Sequence, residues 1–159
     1  MAIVTIISVG TIKEGYLREA LAEYKKRLSQ YARVEEITLN EEKIANEDDA
    51  SQIARALDSE GTKILSQIPD GSLKIALCVE GKEYDSEGLA DLMRRGVDEY
   101  GKIALIIGSS HGLANKVKSE CNVKLSFSRL TFPHQLIRVN LYEALYRSFT
   151  IIAGKKYHK

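Results

Sequence analysis

Three short segments carry side chains whose types and spacing could do chemistry. The first is Gly108-Ser109-Ser110-His111-Gly112, directly after the apolar run Ile103–Ile107. Glycines there let backbone approach a ligand closely, and the N–H groups of a following helix can hold polar or anionic groups. The segment is not G-x-G-x-x-G, lacks the Lys-Ser/Thr of a P-loop, and is not a G-x-S-x-G nucleophile elbow. Its plainest reading is a tight strand–helix turn with exposed Ser and His. A small α/β hydrolase using Ser109 or Ser110 with His111 is the competing reading. Adjacent residues rarely reach each other as nucleophile and base, and no acid partner is evident.

The second segment is Leu125-Ser126-Phe127-Ser128-Arg129-Leu130-Thr131-Phe132-Pro133-His134. Small hydroxyls alternate with apolar residues before Pro and His open a helix. Backbone N–H and C=O groups of such a loop can pair with an adenine edge while Phe and Leu pack on its faces. An ordinary strand end followed by a helix start is the plainer alternative. The third segment is Arg147 with the end Gly154-Lys155-Lys156-Tyr157-His158-Lys159. Lys and Arg contact phosphates, and Tyr or His can stack on a base. A solvated, frayed tail is the alternative.

These segments need a scaffold, and the apolar pattern supplies one. Ile3–Val9, Val34–Leu39, Leu73–Val79, Ile103–Ile107 and Val123–Phe127 read as five strands. Between them, apolar residues recur at helical spacing over roughly 13–31, over 53–68 up to the turn Pro69-Asp70-Gly71, and from Leu89 to Tyr100 behind a Ser86 cap. A short helix to about Glu120 and a long one from His134, with Ile137, Leu141, Leu145 and Phe149 inward, complete the set. Asn40–Asp49 is acid-rich and reads as a solvated, mobile loop. Strands that are nearly all apolar and alternate with helices indicate an α/β fold, a mostly parallel sheet with helices on both faces. Ligands in such folds sit outside the carboxyl ends of the strands, which directs attention to loops 80–85, 108–112 and 126–133.

The chain has 159 residues, 44% apolar and 28% charged, as suits one soluble domain over 1–159. Its net charge of +1 conceals an uneven distribution. From Lys124 to Lys159 seven basic residues face one acid, Glu143, a net of +6 that leaves the first 123 residues at −5. No apolar run approaches the roughly 18 residues of a membrane span. The opening Met1-Ala2-Ile3-Val4 enters a strand without a signal-peptide pattern. Cys78 and Cys121 are too few for a disulfide framework or a zinc site, so reduced cytoplasmic thiols and no metal are expected.

Taken together, the segments resemble one family, the ribosomal large subunit pseudouridine methyltransferase H family of the SPOUT superfamily. The resemblance runs over essentially the full length. It includes "KEGYLREALAEYKKRLSQY", "LCVEGKEYDSEGLA" at 77–90, "LIIGSSHGL" at 105–113 and, most specifically, "LSFSRLTFPHQLIRVNLYEALYRSFTIIAGKKYHK" from Leu125 onward. It implies a SPOUT-type α/β knot with a C-terminal trefoil, a homodimer, and S-adenosyl-L-methionine as cofactor. It also implies transfer of methyl to N3 of a pseudouridine in 23S rRNA of the assembled ribosome. The family's cofactor positions fall here on Leu77, Gly108, Phe127, Ser128, Arg129, Leu130, Thr131 and Phe132. One departure is Ser109, where many members carry a second glycine; its side chain must point away from the cofactor or its backbone take an unusual angle. The same resemblance points to Arg147, Tyr157 and His158 as catalytic. His158 is the candidate base or orienter, Tyr157 stacks on or hydrogen-bonds the target base, and Arg147 holds phosphate or polarises a carbonyl. The tail is expected to reach the partner's cofactor. His134 is expected to start a helix near the cofactor loop and His111 to face solvent or substrate. A non-catalytic, ribosome-associated RNA-binding dimer is the alternative function.

Overall fold

The computed structural model describes residues 1–159. Its elements run β1 (Ala2–Val9), α1 (Gly15–Leu28), β2 (Ala32–Leu39), α2 (Ala50–Gln67), β3 (Leu73–Glu83), α3 (Ser86–Arg95), β4 (Lys102–Ile107), α4 (Asn115–Glu120), β5 (Val123–Ser126) and α5 (His134–Ile152). All neighbouring strands pair in parallel, in the order β2-β1-β4-β3-β5. No helix is long and apolar enough to cross a membrane.

The apolar strands are explained by burial on both faces. Val4, Ile6, Ile103, Leu105 and Ile107 point to one side and pack with Leu92, Met93, Leu141 and Leu145 under α3 and α5. Ile7, Val9 and Ile106 point to the other and meet Ile64 of α2 and Val117 of α4. Alternate residues of β1 and β4 therefore serve two cores, whereas the edge strand β2 keeps Arg33, Glu36 and Thr38 exposed.

Three local expectations are corrected. α3 is capped by Asp85 rather than Ser86: the Asp85 carboxylate accepts the Gly88 N–H at 2.7 Å. β3 does not end at Val79. Leu125 of β5 stands opposite both Leu77 and Lys82, so the residues between them bulge outward and the strand resumes to Glu83. Gly81 permits this, because a Cβ there would lie 2.7 Å from the Lys124 carbonyl oxygen. The acid-rich segment after β2 is anchored rather than merely solvated. The Glu42 N–H donates to Glu60 at 2.9 Å, and the Glu42 carboxylate accepts from Ser59 at 2.9 Å and Lys63 at 2.5 Å.

Candidate active site

A cavity of about 700 Å³ opens at the carboxyl edge of β3, β4 and β5. Leu77 and the bulge residues Cys78, Val79 and Glu80 form one wall. Gly108 to Leu113 form the floor, and Leu125–Ser128 with Leu130–His134 form the opposite wall. Leu77, Gly108, Phe127, Ser128, Leu130, Thr131 and Phe132 thus share one cavity, whereas Arg129 lies outside its lining. Cys78, Val79, Lys118 and Ile137 also line it and fall outside the loops that the sequence pointed to, whereas Glu80 falls within 80–85. Polar residues Glu80-Gly81-Lys82 resemble a loop on paper; only Gly81, a glycine next to a strand, signalled a bulge.

The floor is a tight reversal. The Gly112 N–H returns to the Ser109 carbonyl at 2.9 Å. A Cβ on Gly108 would lie 2.2 Å from the Gly112 carbonyl oxygen, so no other residue fits without moving the loop. Ser109 lines the cavity and keeps an ordinary backbone angle. No non-glycine residue has a positive φ, and its hydroxyl turns to Glu60, donating at 2.9 Å. Ser110 donates to Glu41 at 3.1 Å. Neither hydroxyl bonds to His111, so the hydrolase reading lacks its nucleophile–base contact. His134 is the first residue of α5, and its ring lies beside Gly10 at the cavity edge.

Arg147, Tyr157 and His158 come together around Glu143. The Arg147 guanidinium donates to Glu143 at 2.5 Å, contacts His158 Nδ1 at 3.2 Å and lies 4.8 Å over the Tyr157 ring. Tyr157 donates its hydroxyl to Glu143 at 3.0 Å and meets Tyr146 edge-on at 4.7 Å. Partial burial, with the Glu143 bond second, pushes the Tyr157 phenol up to about 12. Tyr157 is therefore a neutral hydrogen-bond donor at working pH, not a base. In the sequence Glu143 counts only as a charge, because a lone acid in a basic segment reads as solvated.

This cluster borders a second cavity of about 560 Å³, walled by Tyr24, Tyr84, Phe127, Phe132 and Asn140 among others. Leu125, Ser126, Phe127 and Phe132 line both cavities. The two spaces stand back to back across one wall, and no tail residue lines the first. The basic segment is also less available than its sum suggests. Arg138 is buried and donates to the Gly10 carbonyl at 2.8 Å, and Arg147 is occupied by Glu143. Lys124, Arg129, Lys155, Lys156 and Lys159 remain exposed. No group of three or more His, Cys, Asp or Glu stands where it could hold a metal ion.

A two-sided parallel sheet with its ligand-sized cavity at the carboxyl edge agrees with the comparison to known families. The family model described as "Predicted SPOUT methyltransferase" matches residues 1–158, and the chain belongs to the SPOUT methyltransferases. A protein of Caldicellulosiruptor bescii named Ribosomal RNA large subunit methyltransferase H is 47% identical over 156 residues, covering 98% of this chain and 99% of its own. One of the same name from Bacillus pumilus is 45% identical over 158 residues, covering 98% and 99%. Within the SPOUT class the chain is thus a member of the ribosomal RNA large subunit methyltransferase H family. The solved structure of a probable methylase family protein from Haemophilus influenzae Rd KW20 shares the fold, with a TM-score of 0.55 at 16% identity, over 98% of this chain and 70% of that one.

Proposed function

We propose that this protein transfers a methyl group from S-adenosyl-L-methionine to N3 of a pseudouridine in 23S rRNA, acting on the assembled ribosome as a homodimer. The observation that carries the reading is the pair of back-to-back cavities, one built by the loops after β3, β4 and β5 and one bordered by the basic, aromatic tail. Relatives named for rRNA methylation at 45–47% identity support the substrate class.

The first cavity suits the cofactor. Its volume falls within the roughly 300–1,000 Å³ of small-molecule sites. Leu77, Ile107, Leu125 and Phe132 offer an apolar slot, and Gly108 leaves backbone free to approach a purine edge. When bound there, S-adenosyl-L-methionine supplies the electrophilic methyl; position and electrostatics are left to the protein.

The acceptor is an imide nitrogen that must lose its proton as it attacks. His158 is the proposed proton acceptor: Arg147 can only donate, so Nδ1 holds the lone pair of the neutral ring and takes the proton as Arg147 turns from it to the base. Arg147 also stabilises the negative charge that spreads onto the base carbonyls. Tyr157 packs near the base, with its hydroxyl proton committed to Glu143. Because the tail sits outside the first cavity in its own chain, His158 is proposed to serve the cofactor of the partner. Leu130 and Val79 line the cavity yet stand 73% and 52% exposed, apolar surface that a second copy would cover. The exposed Lys and Arg side chains are proposed to contact rRNA phosphates, and the SPOUT trefoil knot is proposed to thread the C-terminal loops.

Two measurements test the reading. Titration calorimetry should show S-adenosyl-L-methionine binding that Gly108→Val abolishes; unchanged affinity in that variant would remove the cofactor assignment. Purified ribosomes should be methylated at a pseudouridine, as located by primer extension and mass spectrometry. Uptake of cofactor without ribosome methylation would favour a binding role over catalysis.

A further inference from the structure

Glu60 lies in the middle of α2, 3% exposed, with no Lys or Arg paired to it. A buried carboxyl is costly unless its oxygens are satisfied. Both are. Oε1 accepts the Ser109 hydroxyl at 2.9 Å, and Oε2 accepts the Glu42 N–H at 2.9 Å. One side chain therefore ties the cavity floor after β4 to the loop after β2, across 49 residues of sequence on one side. The next residue makes this closeness possible. A Cβ on Gly61 would lie 2.9 Å from Lys116 Cε and 3.2 Å from Ala114 Cβ, so α4, which follows the floor, sits directly on α2. Apart from this link, the floor is held by the Ser109–Gly112 backbone bond, the Ser110–Glu41 hydrogen bond at the surface and the buried Leu113 side chain.

We propose that Glu60 is a positioning residue that latches the Gly108–Gly112 floor through Ser109 in the shape that receives the cofactor. The proposal rests on the cofactor reading of the cavity. Glu60 touches no ligand; it acts by holding the floor before binding, so ordering costs less at that moment. Its chemistry also fixes which replacement should work. In Glu60→Gln the amide oxygen accepts the Glu42 N–H and the amide nitrogen donates to Ser109 Oγ, since a hydroxyl serves as donor or acceptor. In Glu60→Ala both links vanish.

Calorimetric titration with S-adenosyl-L-methionine tests the latch. E60A and S109A should each weaken binding by about tenfold, the effect expected when one buried hydrogen bond is removed and its partner left unmatched. E60Q should stay within about threefold of wild type on the same grounds. The double variant E60A/S109A should be no weaker than the worse single one, because both break the same link. Wild-type affinity in folded E60A overturns the proposal, as do additive losses. If E60A fails to fold, S109A decides: wild-type affinity there overturns the latch. Hydrogen exchange on the unliganded protein separates this outcome from the parent reading. Should wild type take up no cofactor at all, the cavity assignment fails; faster exchange of the Gly112 amide in folded S109A still supports the latch, and unchanged exchange overturns it.

Discussion

The Tyr157 hydroxyl donates at 3.0 Å to Glu143 Oε1, the same oxygen on which the Arg147 guanidinium closes at 2.5 Å. One carboxylate oxygen in α5 therefore holds the tail to the helix and aims the arginine that contacts His158. The tail is thereby fastened to α5 by two side chains on one carboxylate oxygen.

Replacing that acceptor should loosen all three residues at once. Glu143→Ala is expected to lower ribosome methylation by about tenfold, the loss of a charge-assisted positioning contact, with cofactor affinity unchanged. Tyr157→Phe should cost less, because Arg147 retains Glu143. Since the phenol is held neutral up to about 12, Tyr157→Phe should leave the pH–rate profile between about pH 6 and 9 in place. A profile that moves with Tyr157→Phe would make that hydroxyl a proton carrier and contradict the assignment to His158. Deleting Tyr157–Lys159, or His158→Ala, should abolish turnover while leaving cofactor uptake intact.

A second polar node invites a test by pH. Glu36 of β2 accepts from Lys25 and from Tyr142 of α5. Partial burial raises its carboxyl, but the Lys25 and Tyr142 bonds outweigh burial and hold it below the usual range. A carboxyl depressed in the folded state confers stability that is present above its unfolded value, about 4.3, and lost as pH falls through the folded value. Glu36→Gln should therefore cost about 1–2 kcal/mol at pH 7, consistent with charged hydrogen bonds, and much less near pH 3. Urea unfolding at the two pH values reads the difference. An equal cost at both would show that packing, not charge, makes Glu36 matter.

Cys78 and Cys121 permit a chemical probe of the cavity. Burial pushes the Cys121 thiol up to about 11 and raises Cys78 as well. The thiolate is the reactive form, so at pH 8 only about one Cys121 in a thousand is ionised. Iodoacetamide should label the folded protein at least about tenfold more slowly than the urea-unfolded chain. Cys78 lines the first cavity and Cys121 does not. Added S-adenosyl-L-methionine should then protect Cys78 alone, as read by peptide mass spectrometry. Equal protection of both would indicate global stabilisation rather than occupancy of that cavity.

What the sequence disclosed and what it withheld follow from the range of the interactions. The parallel sheet was legible because the neighbouring strands β1 and β4 bury residues on both faces, which leaves nearly unbroken apolar runs. The floor Gly108–Gly112 and the wall Phe127–Phe132 were legible because glycine and proline punctuate them locally. Glu60 and Glu143 were not. Each sits within a helix, where an acid ordinarily marks a solvated face, and each gains meaning only from a partner brought near by folding. The return of β3 after its bulge was hidden for the same reason, since Lys82 and Glu83 pair with β5 while looking like loop residues. Arg138 shows the reverse error: counted among the +6 of the basic segment, it is buried against the Gly10 carbonyl and offers nothing to RNA.

The division between the two cavities leads to the sharpest test of the shared site. In one chain, Leu125–Phe127 and Phe132 stand between the tail cluster and the first cavity. If His158 serves the partner's cofactor, two inactive variants should complement each other. Gly108→Val lacks a cofactor cavity but keeps its tail; His158→Ala keeps the cavity but lacks the histidine. A mixed dimer then contains one complete site, with the histidine from the first chain and the cavity from the second. Random mixing in a twofold dimer makes about half of the dimers mixed, each with one of two sites intact. Ribosome methylation should therefore recover to about a quarter of the wild-type rate after the two variants are unfolded together and refolded. Should the tail act within its own chain, neither subunit of the mixed dimer holds a complete set, and the mixture stays as inactive as its parents. Refolding each variant alone supplies the baseline, and wild type refolded in the same way sets the full scale.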